Sequence, residues 1–408
     1  MKVAFLVFIL LSVSFAENNF GPSLVEMEKT WIIGCPEPDC YVEFEGILTV
    51  NNSNHKIVSI IMEPEMNLST DEYGEMHVLY SSMIPDGTIE LNVIVTAEID
   101  YDARLVEDPP LAPGNVTVTE LTEWDGDIMR HADGIKDEDS TLMTIRNMVE
   151  WVHENVEYDI AYFNLNKDAR TVFKERKGVC VEYSHLLISM LASQEIDARY
   201  VSGYVLSGDW EPHGWVEAYV PGYGWLPLDA TFNQAGGLDS SHVMLSYGND
   251  QETDFDRLTT TSGGAILDRL PTRVTLLDIE EDPEGLSVEI GFENKTYATT
   301  IDIKNSRGDY VYGLYSFYPP KGYGNKTTEL LLLSPYEMRE QRYEFEPSLF
   351  EEGYSYTLPL KATLNDAIDE KTVVIVKKKA PVTTQDTCYP ALLLAVLGLL
   401  SVIKFADK

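Results

Sequence analysis

The N-terminal part of the chain alternates between short runs rich in Val, Ile and Tyr and clusters of Pro, Gly, Asn and Asp. The runs cover residues 30–34, 41–50, 56–63, 75–82 and 88–100. Runs of this length that are separated by turn-forming residues are typical of antiparallel β-strands. The pattern therefore predicts an N-terminal β domain over residues 17–115, which ends in a proline-rich link at residues 107–114.

The periodicity becomes helical after Asp137. Within residues 141–155 the apolar side chains recur at the spacing that places them on one side of a helix: Leu142, Ile145, Met148, Val149 and Val152. A shorter helix is predicted over residues 168–176, and a third begins at Cys180. Strand-like runs follow at residues 199–206, 215–220 and 225–229, so residues 116–262 are predicted to form a domain in which helices precede an antiparallel sheet.

The C-terminal part returns to strand-like runs. They cover residues 274–279, 286–292, 298–303, 310–317, 328–333, 342–345, 355–362 and 371–376. Many short strands with turn residues between them predict a β-sandwich over residues 270–379. The predicted fold class is therefore α+β, with a central core flanked by an N-terminal antiparallel β domain and a C-terminal β-sandwich.

The two ends of the chain predict export and membrane attachment. Met1-Lys2 is followed by an apolar run that small residues close, as in a signal peptide over residues 1–16. A second apolar run, residues 388–404, is predicted to be a transmembrane anchor, joined to the sandwich by a linker at residues 380–387. This run is shorter than the ~20 residues of a full span. The basic stretch Lys377-Lys-Lys379 would also lie on the outer side, but a cleaved signal should dominate orientation. We expect a protein anchored at the cell surface with its domains outside.

The charge balance narrows the choice of partners. The chain has 408 residues, of which 44% are hydrophobic and 24% charged, and this composition is that of a globular protein. Its net charge is −37, so its surface should repel nucleic acid and anionic lipid. We therefore expect no nucleic-acid partner.

Cysteine usage and glycosylation sequons agree with export. Cys35 and Cys40 bracket a short loop that a disulfide could close in an oxidising compartment, and Cys180 then stays free. A metal site at the first two cysteines is a weaker interpretation, because no further Cys or His pair is spaced to complete four ligands. Five asparagines begin Asn-X-Ser/Thr sequons and are candidates for glycosylation: Asn51, Asn67, Asn115, Asn294 and Asn325.

The free cysteine has the sequence context of a nucleophile. Gly178-Val-Cys180 ends one segment and opens a helix, and the backbone N–H groups and dipole at a helix start favour a thiolate over a thiol. His213 and Asp229 follow on two strand-like segments. The chain therefore holds a nucleophile, a base and a group that can orient the base.

A hairpin should bring the histidine and the aspartate together. Strand alternation places His213, Trp215 and Asp229 on the same face, opposite the apolar positions of both strands. Because opposed residues share a face, the turn must be centred on a residue, either Pro221 or Gly222. A centre at Pro221 would put His213 directly opposite Asp229, whereas a centre at Gly222 would place them diagonally, about 7–8 Å apart in backbone.

These residues resemble the transglutaminase-like superfamily. Its pattern of Gly-X-Cys opening a helix, His-X-Trp on a strand and Asp-X-Thr on the next is matched by Gly178-Val-Cys180, His213-Gly-Trp215 and Asp229-Ala-Thr231. The likeness extends over roughly residues 137–231. Gly214 stands where Ala is common and Ala230 where Pro is common, and neither change removes a catalytic group. The resemblance implies a papain-like core in which Cys180 is the nucleophile, His213 the base and Asp229 its orienter.

The resemblance implies acyl transfer at an amide bond of a protein or peptide substrate through a thioester on Cys180. Hydrolysis of a peptide or isopeptide bond is slightly favoured, because water needs no acceptor site, and cross-linking transamidation is the alternative. Trp210, Trp215 and Trp225 are candidate substrate-binding walls. A non-enzymatic surface adhesion or scaffold protein is a further alternative.

We expect neither a metal nor a cofactor. The chain has no His-Glu-X-X-His motif of a metal-dependent hydrolase. The acidic residues Asp250, Asp254 and Asp256 lack the spacing of a calcium loop, which favours a solvated acidic link.

Overall fold

The computed structural model describes residues 20–378 except 38, 86, 102, 103, 253–255, 262, 282–284 and 294–296. The predicted signal peptide at residues 1–16, the linker at 380–387 and the membrane anchor at 388–404 lie outside these residues, as do Asn294 and Asp254. Within the described part of the chain, no helix combines the length and the apolar character needed to cross a membrane.

The N-terminal strands form two antiparallel sheets with a common apolar core. One sheet contains β1, β6 and β3 in that order, and the other contains β2, β5 and β4. In β6 every second side chain from Leu91 to Ile99 is buried, which is the alternation expected of a strand with one face on a core. The strands are β1 (Phe20–Gly34), β2 (Cys40–Val50), β3 (His55–Glu63), β4 (Asn67–Thr70), β5 (Glu75–Ile84) and β6 (Thr88–Ile99). Cys35 and Cys40 form a disulfide between β1 and β2.

The central segment places four α-helices before an antiparallel sheet. The helices are α1 (Gly126–Ile135), α2 (Thr141–Asn155), α3 (Ala169–Glu175) and α4 (Cys180–Ser193). Two short strands, β7 (Glu157–Tyr158) and β8 (Lys177–Gly178), pair in parallel ahead of α4. The sheet runs in the order β12, β11, β10, β9, β13. Its strands are β9 (Ala198–Ser207), β10 (Asp209–Val220), β11 (Gly224–Asp229), β12 (Gln234–Ala235) and β13 (His242–Gly248).

The predicted elements around the candidate site are confirmed. Helix α2 has the predicted limits, α3 lies within the predicted range, and α4 begins at Cys180. In the β10–β11 hairpin, Val216 pairs with Leu228 and Ala218 with Leu226, so the turn is centred on Gly222. That register is the second of the two alternatives, with Asp229 diagonal to His213.

Three strands that follow the central sheet return to the N-terminal sheets. β14 (Arg257–Thr260) pairs with β2, while β15 (Ile266–Arg269) and β16 (Arg273–Glu281) pair with β1. Asp256, just before β14, accepts hydrogen bonds from the Trp31 indole at 2.8 Å, the Ile47 N–H at 3.0 Å and the Arg269 guanidinium at 2.6 Å. Its carboxylate is therefore a structural acceptor, and Asp250 is buried. The solvated link predicted for these acidic residues is wrong at both positions, and the domain limits stay predictions.

The C-terminal strands form two sheets around a separate apolar core, in the orders β17, β18, β21 and β20, β19, β22, β23. They contact helix α2: the Tyr312 hydroxyl donates to the Leu142 carbonyl at 2.8 Å, and the Leu330 N–H donates to Glu150 at 3.0 Å. The strands are β17 (Leu286–Glu293), β18 (Ala298–Asn305), β19 (Val311–Tyr318), β20 (Thr327–Leu333), β21 (Met338–Glu344), β22 (Ser355–Leu364) and β23 (Ala367–Val376).

The predicted α+β class with a papain-like core is wrong. Of the residues that the structure describes, 51% lie in strands and 15% in helices, and they form many antiparallel sheets without a clear α+β papain-like core. The physical reason lies in the central sheet. Helix α4 packs on one face, but Trp215, Val243 and Met244 of the sheet share the core of the N-terminal strands. The sheet is thus covered by helices on one side and by β structure on the other. The helical pattern in the central part of the sequence does not indicate what covers the second side.

Candidate active site

Cys180 is the first residue of α4, and the two residues before it are closely packed against Glu182. The carboxylate of Glu182 accepts the Val179 N–H at 3.0 Å and so occupies the space beside the turn. A Cβ at Gly178 would lie 2.4 Å from the Cβ of Glu182, which explains the glycine before the cysteine. The thiol is free and partly exposed at the helix start, where unpaired N–H groups and the dipole stabilise negative charge.

His213 and Asp229 are joined by a short hydrogen bond. The His213 Nε2 lies 2.7 Å from Asp229 Oδ2, and both side chains are buried. The other carboxylate oxygen accepts the Thr231 N–H at 2.7 Å, which accounts for the Asp-X-Thr motif as a local turn. The side chain of Cys180 lies near the imidazole and contributes to the rise of its pKa. Because Nε2 is taken by the carboxylate, Nδ1 is the ring nitrogen left to interact with the cysteine.

The buried charges favour a protonated His213. Burial disfavours the charged imidazole, but the carboxylate of Asp229 and the side chain of Cys180 outweigh it and raise the pKa of His213 to about 10. Burial likewise opposes ionisation of Asp229, yet contacts with His213 and His242 hold the pKa of that carboxyl well below its usual range. At neutral pH this raised pKa keeps the imidazole beside the cysteine protonated.

His242, a second histidine, shares the same carboxylate. Its Nε2 lies 3.1 Å from Asp229 Oδ2, and its Nδ1 lies 3.1 Å from Asp239 Oδ1. Burial lowers and the two carboxylates raise its pKa, with a net rise to about 9. This residue was not predicted from the sequence. The Asp239-Ser-Ser-His242 spacing was visible, but its relation to Asp229 depends on β13 lying next to β9.

The segment that carries this arrangement matches a known family model. Residues 130–230 match the model of the transglutaminase-like superfamily, and this range includes Cys180, His213 and Asp229. The chain contains a transglutaminase-like domain. The resemblance found in the sequence is confirmed.

Known proteins share only part of the chain. A protein-glutamine gamma-glutamyltransferase of Pseudomonas aeruginosa is 32% identical over 75 residues, covering 16% of this chain and 11% of that protein. An uncharacterized protein of Mycobacterium tuberculosis is 26% identical over 121 residues, covering 26% of this chain and 38% of the relative. The chain thus spans well under half the length of these relatives.

Solved structures align more extensively but less closely. A candidate cysteine protease from Cytophaga hutchinsonii aligns with a TM-score of 0.44 and 19% identity, over 65% of this chain and 94% of that one. Red sea bream transglutaminase aligns with a TM-score of 0.23 and 9% identity, over 89% and 81% of the two chains. At these TM-scores, the likeness carries no argument about function.

The three tryptophans occupy different places around the transglutaminase-like domain. Trp215 is 0% exposed and stacks behind His213, with ring centroids 6.0 Å apart, so it cannot form an open substrate wall. That prediction is corrected: Trp215 supports the imidazole. Trp225 is half-buried, lies 4.1 Å from the Arg199 guanidinium and lines a cleft of about 410 Å³. Trp210 is half-buried against the N-terminal core.

His213, Asp229 and His242 are also close enough to bind one metal ion, since one ligand atom of each lies within 4.8 Å of the others. Each of these atoms already takes part in a hydrogen bond between an imidazole and a carboxylate. We therefore interpret the group as a hydrogen-bonded chain.

Gly214 stands where the superfamily commonly has Ala, and the structure gives the reason. A Cβ at this position would lie 1.9 Å from the hydroxyl oxygen of Tyr200 on the neighbouring strand. We expect Gly214→Ala to lower the free energy of unfolding by about 1–3 kcal/mol, because the tyrosine must move in a packed core. Thermal unfolding measures the change. Gly237→Ala is the matched control, because a Cβ there meets nothing within 4 Å. Equal stability of the two variants would contradict this explanation.

Proposed function

We propose that the chain is a cell-surface cysteine enzyme that transfers the acyl group of an amide bond through a thioester on Cys180. The observation that carries the proposal is the hydrogen-bonded pair of His213 and Asp229 beside Cys180, the first residue of a helix. Nucleophilic cysteine catalysis needs this set of groups: a thiolate, a protonated imidazole and a buried carboxylate that orients it.

Acylation begins when the Cys180 thiolate attacks the amide carbonyl carbon. The N–H of Cys180 at the helix start is suited to donate to the developing oxyanion. As the carbon–nitrogen bond breaks, the imidazolium of His213 gives its proton to the leaving amine, and Asp229 holds the ring in place. The products of this step are a free amine and an acyl-thioester on Cys180.

Deacylation returns the enzyme to its starting state. Water attacks the thioester, the neutral His213 accepts its proton, and the thiolate of Cys180 leaves, which releases a carboxylic acid. A primary amine in place of water would give a new amide and so cross-link two chains. We favour hydrolysis of peptide or isopeptide bonds, because water requires no acceptor site. The short likeness to a protein-glutamine gamma-glutamyltransferase supports transamidation as the second candidate.

The proposed location rests on the apolar runs at the two ends of the chain and on its surface. The four sequon asparagines that the structure describes, Asn51, Asn67, Asn115 and Asn325, are all exposed. The disulfide between Cys35 and Cys40 is compatible with an oxidising compartment. We propose that the domains lie outside the cell and act on proteins or peptides there.

A product analysis tests the proposal. The purified full-length chain is incubated with a peptide set and a labelled primary amine, and product masses are recorded. We expect a hydrolysed product, or an amide of the labelled amine if transamidation dominates, and no product from Cys180→Ala. Iodoacetamide should alkylate Cys180 in the folded protein at about pH 6.5 and abolish the reaction. If Cys180 is alkylated only after denaturation and no product forms, the cysteine is structural and the proposal is wrong.

A further inference from the structure

Four large apolar side chains are exposed together next to the candidate active site. Tyr158, Ile160, Phe163 and Leu165 are 53%, 71%, 62% and 51% exposed. They belong to one short segment, residues 158–165, here named the apolar loop. A single exposed apolar residue is ordinary, whereas a contiguous group commonly marks a binding surface.

The beginning of the apolar loop is joined to the residues that lead into the nucleophile. Tyr158 pairs with Gly178 across β7 and β8, two residues before Cys180. The next N–H, that of Asp159, donates to the Gly178 carbonyl at 2.9 Å. The loop therefore leaves the protein body directly at the start of α4.

The end of the apolar loop is joined to the first turns of the same helix. The Lys167 N–H donates to Glu182 Oε1 at 3.0 Å, and the Lys167 carbonyl lies 3.0 Å from the His185 ring. The Glu182 carboxylate thus holds both this end of the loop and, through the Val179 N–H, the entrance to the helix. Both ends of the loop are fixed around Cys180.

The polar side chains of this segment bond back to the protein. Asp159 forms an ion pair with Lys177 at 3.1 Å and caps the turn by accepting the Ala161 N–H at 3.0 Å. The Tyr162 hydroxyl donates to Glu175 at 2.6 Å. These contacts hold the backbone in place while the apolar side chains face solvent, so the surface is preorganised.

The charge around the loop is negative. Burial, followed by the negative charges of Cys180, Glu211 and Asp229, raises the pKa of Tyr158 to about 12. Glu157 and Asp159 add two carboxylates, which share an ion pair with Lys177. An occupant of this surface should therefore combine apolar and basic side chains.

We propose that the apolar loop binds the polypeptide that donates the acyl group, and selects segments with a large apolar side chain and a basic residue close to the reacting amide. This inference rests on the proposed function. It assigns to the loop a role in substrate choice and leaves the chemistry to Cys180, His213 and Asp229.

The test compares a loop variant with a surface control. The loop variant is Ile160→Ser/Phe163→Ser, and the control is Tyr336→Ser/Met338→Ser, which removes two apolar side chains that are 71% and 74% exposed on the C-terminal sheets. The probe is a peptide set in which one leucine is moved through a lysine- and serine-rich sequence around a central glutamine. The rate at which each product mass appears gives kcat/KM for that peptide. The rate of alkylation by iodoacetamide measures the reactivity of Cys180 independently of the loop.

We expect the wild type and the control to prefer the best leucine peptide over its all-serine counterpart by about tenfold, and the loop variant to lose this preference. Replacing the lysines of the best peptide by glutamates should lower its kcat/KM further. Alkylation of Cys180 and thermal unfolding should be the same in all three proteins.

Each other result overturns the inference. If the loop variant keeps the leucine preference, the loop does not select substrate and the proposed function stands. If the variant loses activity on every peptide together with fast alkylation, the loop only supports the nucleophile. If the wild type converts no peptide in the set and Cys180 alkylates only after denaturation, the proposed function and this inference fall together.

Discussion

Replacing Asp229 by Asn should lower turnover by about 10⁴, the effect seen when the orienting aspartate of a Ser-His-Asp triad is changed to Asn. The amide keeps the shape of the carboxylate but loses its charge, and it can present its NH₂ group where His213 Nε2 needs an acceptor. In the wild type this nitrogen lies 2.7 Å from a carboxylate oxygen. The imidazolium then loses its stabilising partner, and the thiolate of Cys180 loses the imidazolium. Steady-state kinetics on the best peptide measure turnover, and alkylation at about pH 6.5 should slow in parallel.

Asp209→Asn is the control for this experiment. It makes the same chemical change at an exposed position on the neighbouring strand β10. Glu217 is less suitable, because its buried carboxylate lies 2.7 Å from the Arg199 guanidinium and belongs to a separate ion pair. Full activity in Asp229→Asn, with unchanged alkylation, would remove Asp229 from the mechanism.

Replacing His242 by Gln should lower the free energy of unfolding by about 3–5 kcal/mol, because it removes the charged partner of Asp239 and one of the two charged partners of the buried Asp229. His242 lies 3.1 Å from both Asp229 and Asp239, whose side chains are 1% and 14% exposed, so water can replace the imidazole poorly at Asp229. The double variant His242→Gln/Asp239→Asn should recover part of the loss, since one buried charge is then removed. Denaturant unfolding measures the free energy of unfolding of the wild type, the single variant and the double variant.

The pH dependence of the free energy of unfolding shows whether His242 is charged in the folded protein or is neutral and only packed there. The titratable groups around it are Asp229, Asp239, His213 and Tyr101. The pKa values of His213 and His242 are raised from 6.5 to about 10 and about 9. The two protonated histidines contribute fully to the stability of the folded state below about pH 6.5, and this contribution is lost as the pH rises through those higher values.

Wild-type stability should therefore fall between about pH 7 and pH 10, and His242→Gln should show a shallower fall. Turnover should also decrease about 10- to 100-fold, by analogy with the loss found when a hydrogen-bond partner behind a metal ligand is replaced. If the variant unfolds like the wild type at every pH, His242 is neutral and the charged chain described above is wrong.

Local patterns were enough to predict most of the geometry of the candidate site. The glycine before Cys180 and the apolar period after it fixed the start of α4, and strand parity limited the hairpin turn to Pro221 or Gly222. These features depend on neighbours within one helix or one hairpin. The choice between the two turn centres, which the pattern left open, is settled by the pairing of Val216 with Leu228.

Features that depend on distant contacts could not be predicted in this way. His242 reaches Asp229 only because β13 joins the far edge of the sheet beside β9. The burial of Trp215 follows from the N-terminal strands covering the face opposite α4. The α+β class failed for the same reason: helical periodicity describes one layer, and nothing local shows which β structure covers the other face.

The return of β14, β15 and β16 to the first sheets also sets the order in which the molecule can be built. Trp31 on β1 contacts Asp256 across 225 residues of sequence. At a synthesis rate of about 5–20 residues per second, the nascent chain waits about 10–45 s before that partner exists. During this interval β6 covers one side of β1, and the other side is an open strand edge of the kind that invites pairing between chains. The segment that carries Cys180 is thus synthesised while the sheet that contains β1 still lacks β15 and β16. The newly made protein is therefore most exposed to aggregation at this stage.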